Sequence, residues 1–450
     1  MQHRWLALVL LLAAAQAGAA QPQATARRTD LPLTLVLSGG VSLGSYEAGL
    51  AWAVVHFARQ VPDLTMDPRA GRPRLVATTG ASAGSINALL SALMWCSAPE
   101  SLARASVDDN LLRRTWIPTG LDQLLPDTAS SYREGDGILA SQPLVETLEA
   151  LGRTLLSPES GHRYRPGCEL PIGVTVTRTD AEERQVAGLT VRTQRFVLPW
   201  RLEVTSQGQP RFHGLSRVSG REDEEDVLRL AEQVQPGGGS ALTWSQVSQG
   251  VLASAAFPAA FAPRVLCDCS ARCPAAQQVD VAACPGPEGP VGPLSCPARS
   301  PRGEPLTLCR RSYVDGGIFD NAPVGLAIDL TEATLVPGVL QPATYLFVDP
   351  DVRRLSPEQE RAASLGCAES ACSCWKRVTK GASAPLARYS RLRVVRFQPP
   401  ARSSRARSAL RLVVTSSPSI CSTPSVPTGG GCAARSCSGE SRRTSGSTNR

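Results

Sequence analysis

The run LVATTGASAGSINALLSALMW, residues 75–95, constrains the fold more tightly than any other part of the chain. Its first five residues are apolar or β-branched and read as a short strand. GASAG follows without a spacer, and Ile86, Leu89, Leu90 and Leu93 then recur at helical spacing over residues 85–95. A strand that passes into a helix within five residues needs small residues at the bend, and it belongs in a sheet with helices packed on it. In a chain with 38 glycines GxSxG also arises by chance, so the flanking strand and helix carry the signal rather than the pentapeptide. Ser82 is read as a nucleophile on a sharp turn, against the alternative of an ordinary serine in an alanine-rich helix start. The first reading requires an oxyanion site and a base elsewhere.

The same step from strand to helix occurs upstream. Residues 33–37 read as a strand that breaks at Ser38, Gly39 and Gly40, and Leu43, Tyr46, Leu50 and Val54 then mark a helix to about Arg59. Further on, residues 139–155 read as a helix, and residues 170–180 and 193–204 as strands. REDEEDVLRLAEQV reads as a helix whose acids sit at its N-terminus, where the macrodipole favours them, rather than as a calcium site. PGGGS, residues 236–240, reads as a flexible connection. From Leu242 a helical segment leads into VLASAAFPAAFAPRVL, a short strand SYV precedes Asp315, and residues 345–348 form a last strand. Strands alternating with helices, each strand apolar throughout, predict an α/β fold with a mostly parallel sheet covered on both faces.

Composition narrows the setting. The polar start MQHR, the apolar run WLALVLLLAAA and the small residues Ala17, Gly18 and Ala19 predict an export signal over residues 1–19, with a polar linker to residue 31. No later stretch reaches the roughly eighteen apolar residues of a membrane helix. The expected product is periplasmic, outer-membrane-associated or secreted, and soluble or peripheral to a membrane. The formal charge of +8 resides mostly in residues 401–450, where eight arginines face the single acid Glu440, so the body is near neutral and nucleic acid is not an expected partner. Residues 356–450 read as a low-complexity basic tail, with residues 400–450 disordered or a frameshifted end. Of fourteen cysteines, Cys267, Cys269, Cys273, Cys284, Cys296 and Cys309 fall in one Pro/Gly-rich stretch. In an exported chain these predict an insertion over residues 267–309 stapled by disulfides rather than a zinc site, acting as a lid over the site or as a surface loop.

A serine hydroxyl becomes a nucleophile only when a base takes its proton and donors receive the oxyanion. The order serine, acid, histidine needs a late histidine, but the only histidines are His3, His56, His162 and His213. Asp315 is the best remaining base. It ends a short strand, and Gly316 and Gly317 after it allow close backbone approach and positive φ. Its carboxylate needs burial to raise its basicity.

SGGVSLG (38–44), GASAG (80–84) and VDGGIFDNAPV (314–324), with VLASAAFPAAFAP as a fourth segment, resemble the patatin-like phospholipase family over residues 32–355. The resemblance implies a three-layer α/β/α domain that cleaves acyl esters of lipids at a membrane surface without a metal or cofactor. It implies Ser82 as nucleophile, Asp315 as base and Gly39, Gly40 and Val41 as the oxyanion loop. Gly80 and Gly84 shape the elbow, and Gly316 and Gly317 support Asp315. Val41 stands where a third glycine is common, which leaves the N–H groups of Gly40 and Val41 as donors. Leu43 stands where a basic residue is common, which predicts weaker selection for anionic head groups. Two alternatives keep this fold: an exported binding protein without turnover, and an acyltransferase using the same dyad. A dinucleotide-binding reading of SGGVSLG fails for want of GxGxxG and of an acid ending the next strand.

Overall fold

The computed structural model describes residues 31–40, 43–60, 73–125, 137–186, 188–215, 218, 226–235, 239–286, 289–290, 294–300, 303–335, 343–349 and 391–396, all within one compact unit. The expected export signal, Val41, the acids at 222–225 and the tail apart from Arg391–Arg396 lie outside the described residues.

One ten-stranded sheet organises the unit. Its strands are β1 (Leu31–Leu37), β2 (Pro73–Gly80), β3 (Glu169–Val186), β4 (Leu189–Val204), β5 (Pro210–Gly214), β6 (Arg229–Leu230), β7 (Arg264–Ser270), β8 (Thr307–Asp315), β9 (Thr344–Asp349) and β10 (Arg391–Arg396). The inner strands run parallel in the order β9-β1-β2-β3, as the alternation of strands and helices requires. Antiparallel strands extend the sheet from there: β10 on β9, β4 on β3 with β5 on β4, and β8, β7 and β6 beyond β3.

Helices cover both faces. Leu35 and Leu37 of β1 join the main core with Ile86, Leu89, Leu90 and Leu93 of α2 (Ala83–Cys96), Val55 of α1 (Gly44–Gln60), Leu112 of α3 (Leu111–Trp116), Leu148 of α4 (Gln142–Leu156) and Val247 of α5 (Trp244–Ser254). Val36 points the other way, packing with Ala327 of α7 (Val324–Thr334) and Tyr345. The short helix α6 (Gly317–Asp320) precedes α7. This alternation along β1 is the pleat of a strand buried on both sides, and it makes the unit a three-layer α/β/α structure. All fourteen residues of α2 are buried, so the expected apolar stripe belongs to a helix enclosed on every side.

The acidic helix expected around residue 230 does not form. Residues 229–230 and 232–234 are extended, the first paired to β7 and the second to Leu294–Ser295 and Ser240–Ala241. Val227, Leu228, Leu230 and Ala231 are all buried there, and tertiary burial outweighs local helix propensity. Strands β3 and β4 also run past their expected ends into an antiparallel hairpin with largely exposed tips, where Leu189 and Val191 lie exposed.

Disulfides join Cys267 to Cys284, Cys269 to Cys296 and Cys273 to Cys309, all inside the insertion. A fourth, Cys96–Cys168, ties the end of α2 to the start of β3. The insertion leaves the β7–β8 hairpin where Ser270 pairs with Thr307, whereas Asp315 lies at the other end of β8. Asp315 lies six positions along the strand from Cys309, about 20 Å at 3.4 Å per residue. The insertion is therefore anchored at the end of the hairpin away from Asp315.

Candidate active site

Strand β3 has β4 along one edge, and its other edge is shared by two strands that approach each other head to head. From one side β2 ends with Gly80 opposite Val174, and from the other β8 ends with Asp315 opposite Val176. The two chain ends are thus two β3 residues apart, about 7 Å. Ser82, two residues beyond Gly80, donates its hydroxyl proton to Asp315 Oδ2 across this gap at 2.5 Å.

The elbow is tight. Ser82 has φ 52° and ψ −130°, in the positive-φ half of the map that costs a non-glycine residue about 1–3 kcal/mol. The neighbouring glycines serve a different need. A Cβ on Gly80 would stand 2.2 Å from the carbonyl oxygen of Gly84, and one on Gly84 would stand 2.6 Å from those of Leu37 and Ser38. Each is glycine because backbone passes where a side chain would be.

Ser254, at the end of α5, holds both sides of the junction. Its Oγ accepts the N–H of Ser82 at 3.1 Å and its carbonyl accepts the N–H of Gly316 at 3.1 Å. The Asp315 N–H donates to Ala256 at 2.9 Å. These ties give the VLASAAFP segment its place in the site, which the resemblance did not specify.

Asp315 is 2% exposed, and burial raises its carboxyl to a pKa of about 6 against the opposing hydrogen bonds from Ser82 and from the Gly317 N–H to Oδ1. Gly316 has φ −68°, so the freedom expected of it is not used. Its requirement is steric, because a Cβ would stand 2.0 Å from the Thr175 carbonyl oxygen. Gly317 likewise faces Asn321 Oδ1 and Asp315 Oδ1.

The SGG turn lies beside this pair. A Cβ on Gly39 would reach within 2.8 Å of Ser82 Cβ. Gly39 and Asn321 are joined twice: the Gly39 N–H donates to the Asn321 carbonyl at 3.1 Å, and Asn321 Nδ2 donates to the Gly39 carbonyl at 3.1 Å. Among the described residues the N–H groups of Gly40 and of Ala83, the first residue of α2, meet no acceptor. Ala83 directly follows Ser82 and opens α2, and Gly40 directly follows Gly39, which packs against Ser82 Cβ, so both N–H groups belong to the backbone around Ser82. The histidines lie elsewhere: His56 stacks on Trp52, His162 meets Ser97 beyond the far end of α2, and His213 meets Ser240.

The fold and site define a three-layer α/β/α protein with a strained serine elbow bonded to a buried carboxyl. A family model described as patatin-like phospholipase matches residues 35–328, from β1 into α7, and the chain belongs to that family, whose members are lipid acyl hydrolases. A search of the curated proteins returns no significant match.

Proposed function

We propose that this protein hydrolyses acyl esters of lipids with Ser82 as nucleophile and Asp315 as the only base. The observation that carries this reading is the 2.5 Å hydrogen bond between Ser82 and an aspartate whose carboxyl is raised to about 6. A base of that strength is mostly ionised at neutral pH yet strong enough to draw the serine proton as Oγ attacks the ester carbonyl. The Gly40 and Ala83 amides, with Val41, receive the oxyanion. The protonated Asp315 gives its proton to the leaving alcohol, and water then attacks the acyl-serine with the same carboxylate as base.

Leu43, Phe257, Ile318 and Phe319 are exposed, and each lies close in sequence to a residue that bonds at the site. They support peripheral contact with a lipid surface, because large apolar side chains around a reaction site favour entry into the acyl boundary. The four disulfides fit an oxidising compartment, in keeping with export through residues 1–19.

Release of free fatty acid from short-chain esters and phospholipid vesicles tests the proposal. Wild type releases acid, and Ser82→Ala and Asp315→Asn each lose at least about 10³ in rate. Activity retained by either variant refutes the dyad, and acyl products without free acid assign transfer instead of hydrolysis.

A further inference from the structure

Beneath the SGG turn lies a carboxyl group that the proposed reaction does not use. Glu47, in the first turn of α1, is 0% exposed, and no cation bonds to it among the described residues. Its Oε2 accepts Asn87 Nδ2 at 3.0 Å, while Oε1 has no partner among the described residues. Burial holds this carboxyl well above the usual range; the Asn87 hydrogen bond and the Ser38 N–H oppose that rise, and the Asp349 charge adds to it. A carboxylate buried without a counter-ion is costly, and a neutral acid is the inexpensive form.

Asn87 sits on α2, five residues beyond Ser82, and is itself fully buried. Its orientation is set by Trp116, whose indole N–H can only donate and does so to Asn87 Oδ1 at 2.7 Å. The amide nitrogen must then face α1, where its two hydrogens go to Glu47 Oε2 and to the Gly44 carbonyl, each at 3.0 Å. A Cβ on Gly44 would stand 2.5 Å from the Trp116 ring and 2.9 Å from Ala83 Cβ, so the start of α1 is seated on the residue that follows Ser82. The Leu43 N–H donates to the Gly40 carbonyl at 3.2 Å, so any shift of the first turn of α1 carries Gly40 with it.

We propose that Glu47 and Asn87 form the bracket that sets the Gly39–Gly40 turn against Ser82. Glu47 is a positioning residue, and the claim rests on the reading of the turn as the oxyanion site. Charge would defeat the role, because an unpaired anion behind the turn opposes the negative charge that develops in front of it.

The test combines steady-state kinetics with binding of a trifluoromethyl ketone, which adds to the serine and places an oxyanion in the hole. Glu47→Ala is expected to lower kcat about 10²-fold with KM within about twofold, and to weaken the ketone by a similar factor. Glu47→Gln, isosteric and always neutral, restores both to within about threefold of wild type. Glu47→Asp, one methylene short of Asn87, keeps more of the core volume and serves where the alanine variant does not fold; it is expected to weaken the ketone at least tenfold. A glutamine variant as impaired as the aspartate variant overturns the bracket, as does loss of kcat with ketone affinity unchanged. A wild type whose Ser82 takes no fluorophosphonate label overturns the reading beneath it as well.

Discussion

Ser82 and Asp315 stand 233 residues apart in the chain, and the serine Oγ lies 2.5 Å from the carboxyl Oδ2 with both side chains buried. They meet because β2 and β8 run toward each other along the same edge of β3, so a single strand sets the distance between Ser82 and Asp315.

In the proposed reaction Asp315 must be ionised to accept the serine proton. With its carboxyl raised to about 6, kcat/KM rises with pH through that value and levels off above it. A pH–rate profile on a soluble short-chain ester checks this, and a limb near the ordinary aspartate value of about 3.9 contradicts it.

The same shift has a cost in stability. Because the folded-state pKa lies above the unfolded one, the contribution of Asp315 is intact below about pH 3.8 and is lost as pH rises through about 6. A rise of this size corresponds to at most roughly 3 kcal/mol at pH 7. Asp315→Asn is therefore expected to be inactive yet to melt higher than wild type at pH 7, with the gap closing toward pH 4. Thermal melts at both pH values check this.

Gly39→Ala and Gly84→Ala separate chemistry from folding. The new methyl at position 39 meets the Asn321 side chain and Ser82 Cβ, so rate falls about 10² to 10³ while the melting temperature changes little. At position 84 it meets the Leu37 and Ser38 carbonyls, which cannot move without distorting β1, so both activity and folding yield fall.

The disulfides divide in the same way. Cys96–Cys168 closes a separation of 72 residues and anchors α2, and its removal is expected to cost roughly 4 kcal/mol. Removing Cys267–Cys284 in the insertion is expected to leave kcat within about twofold, because Cys267 pairs with Arg310, five positions along β8 from Asp315. Melting curves and steady-state assays of the two double alanine variants distinguish the cases.

Much of this junction was legible in sequence, because its parts are local: a strand, a glycine turn and a helix are written consecutively at both SGG and GASAG. The absence of a late histidine directed attention to Asp315, whose contact with Ser82 the structure supplies. Other features depend on partners distant in sequence. Ser254 looks like any serine near a helix end until α5 brings it to Ser82, and Glu47 looks like a solvated helix-start acid until Asn87 covers it. Residues 227–234 mislead for the same reason, since β7 and its neighbours impose extended backbone on a helical composition. The glycines were found for an incomplete reason: at Gly80, Gly84 and Gly316 close approach matters, and the strained backbone belongs to Ser82.

Covalent labelling tests the central claim most directly. Wild-type protein treated with a fluorophosphonate and mapped by peptide mass is predicted to carry one adduct, on Ser82. Ser82→Ala is predicted to carry none, and Asp315→Asn to label at least about 10³ more slowly. An unlabelled wild type, or an adduct that persists in Ser82→Ala, contradicts the account.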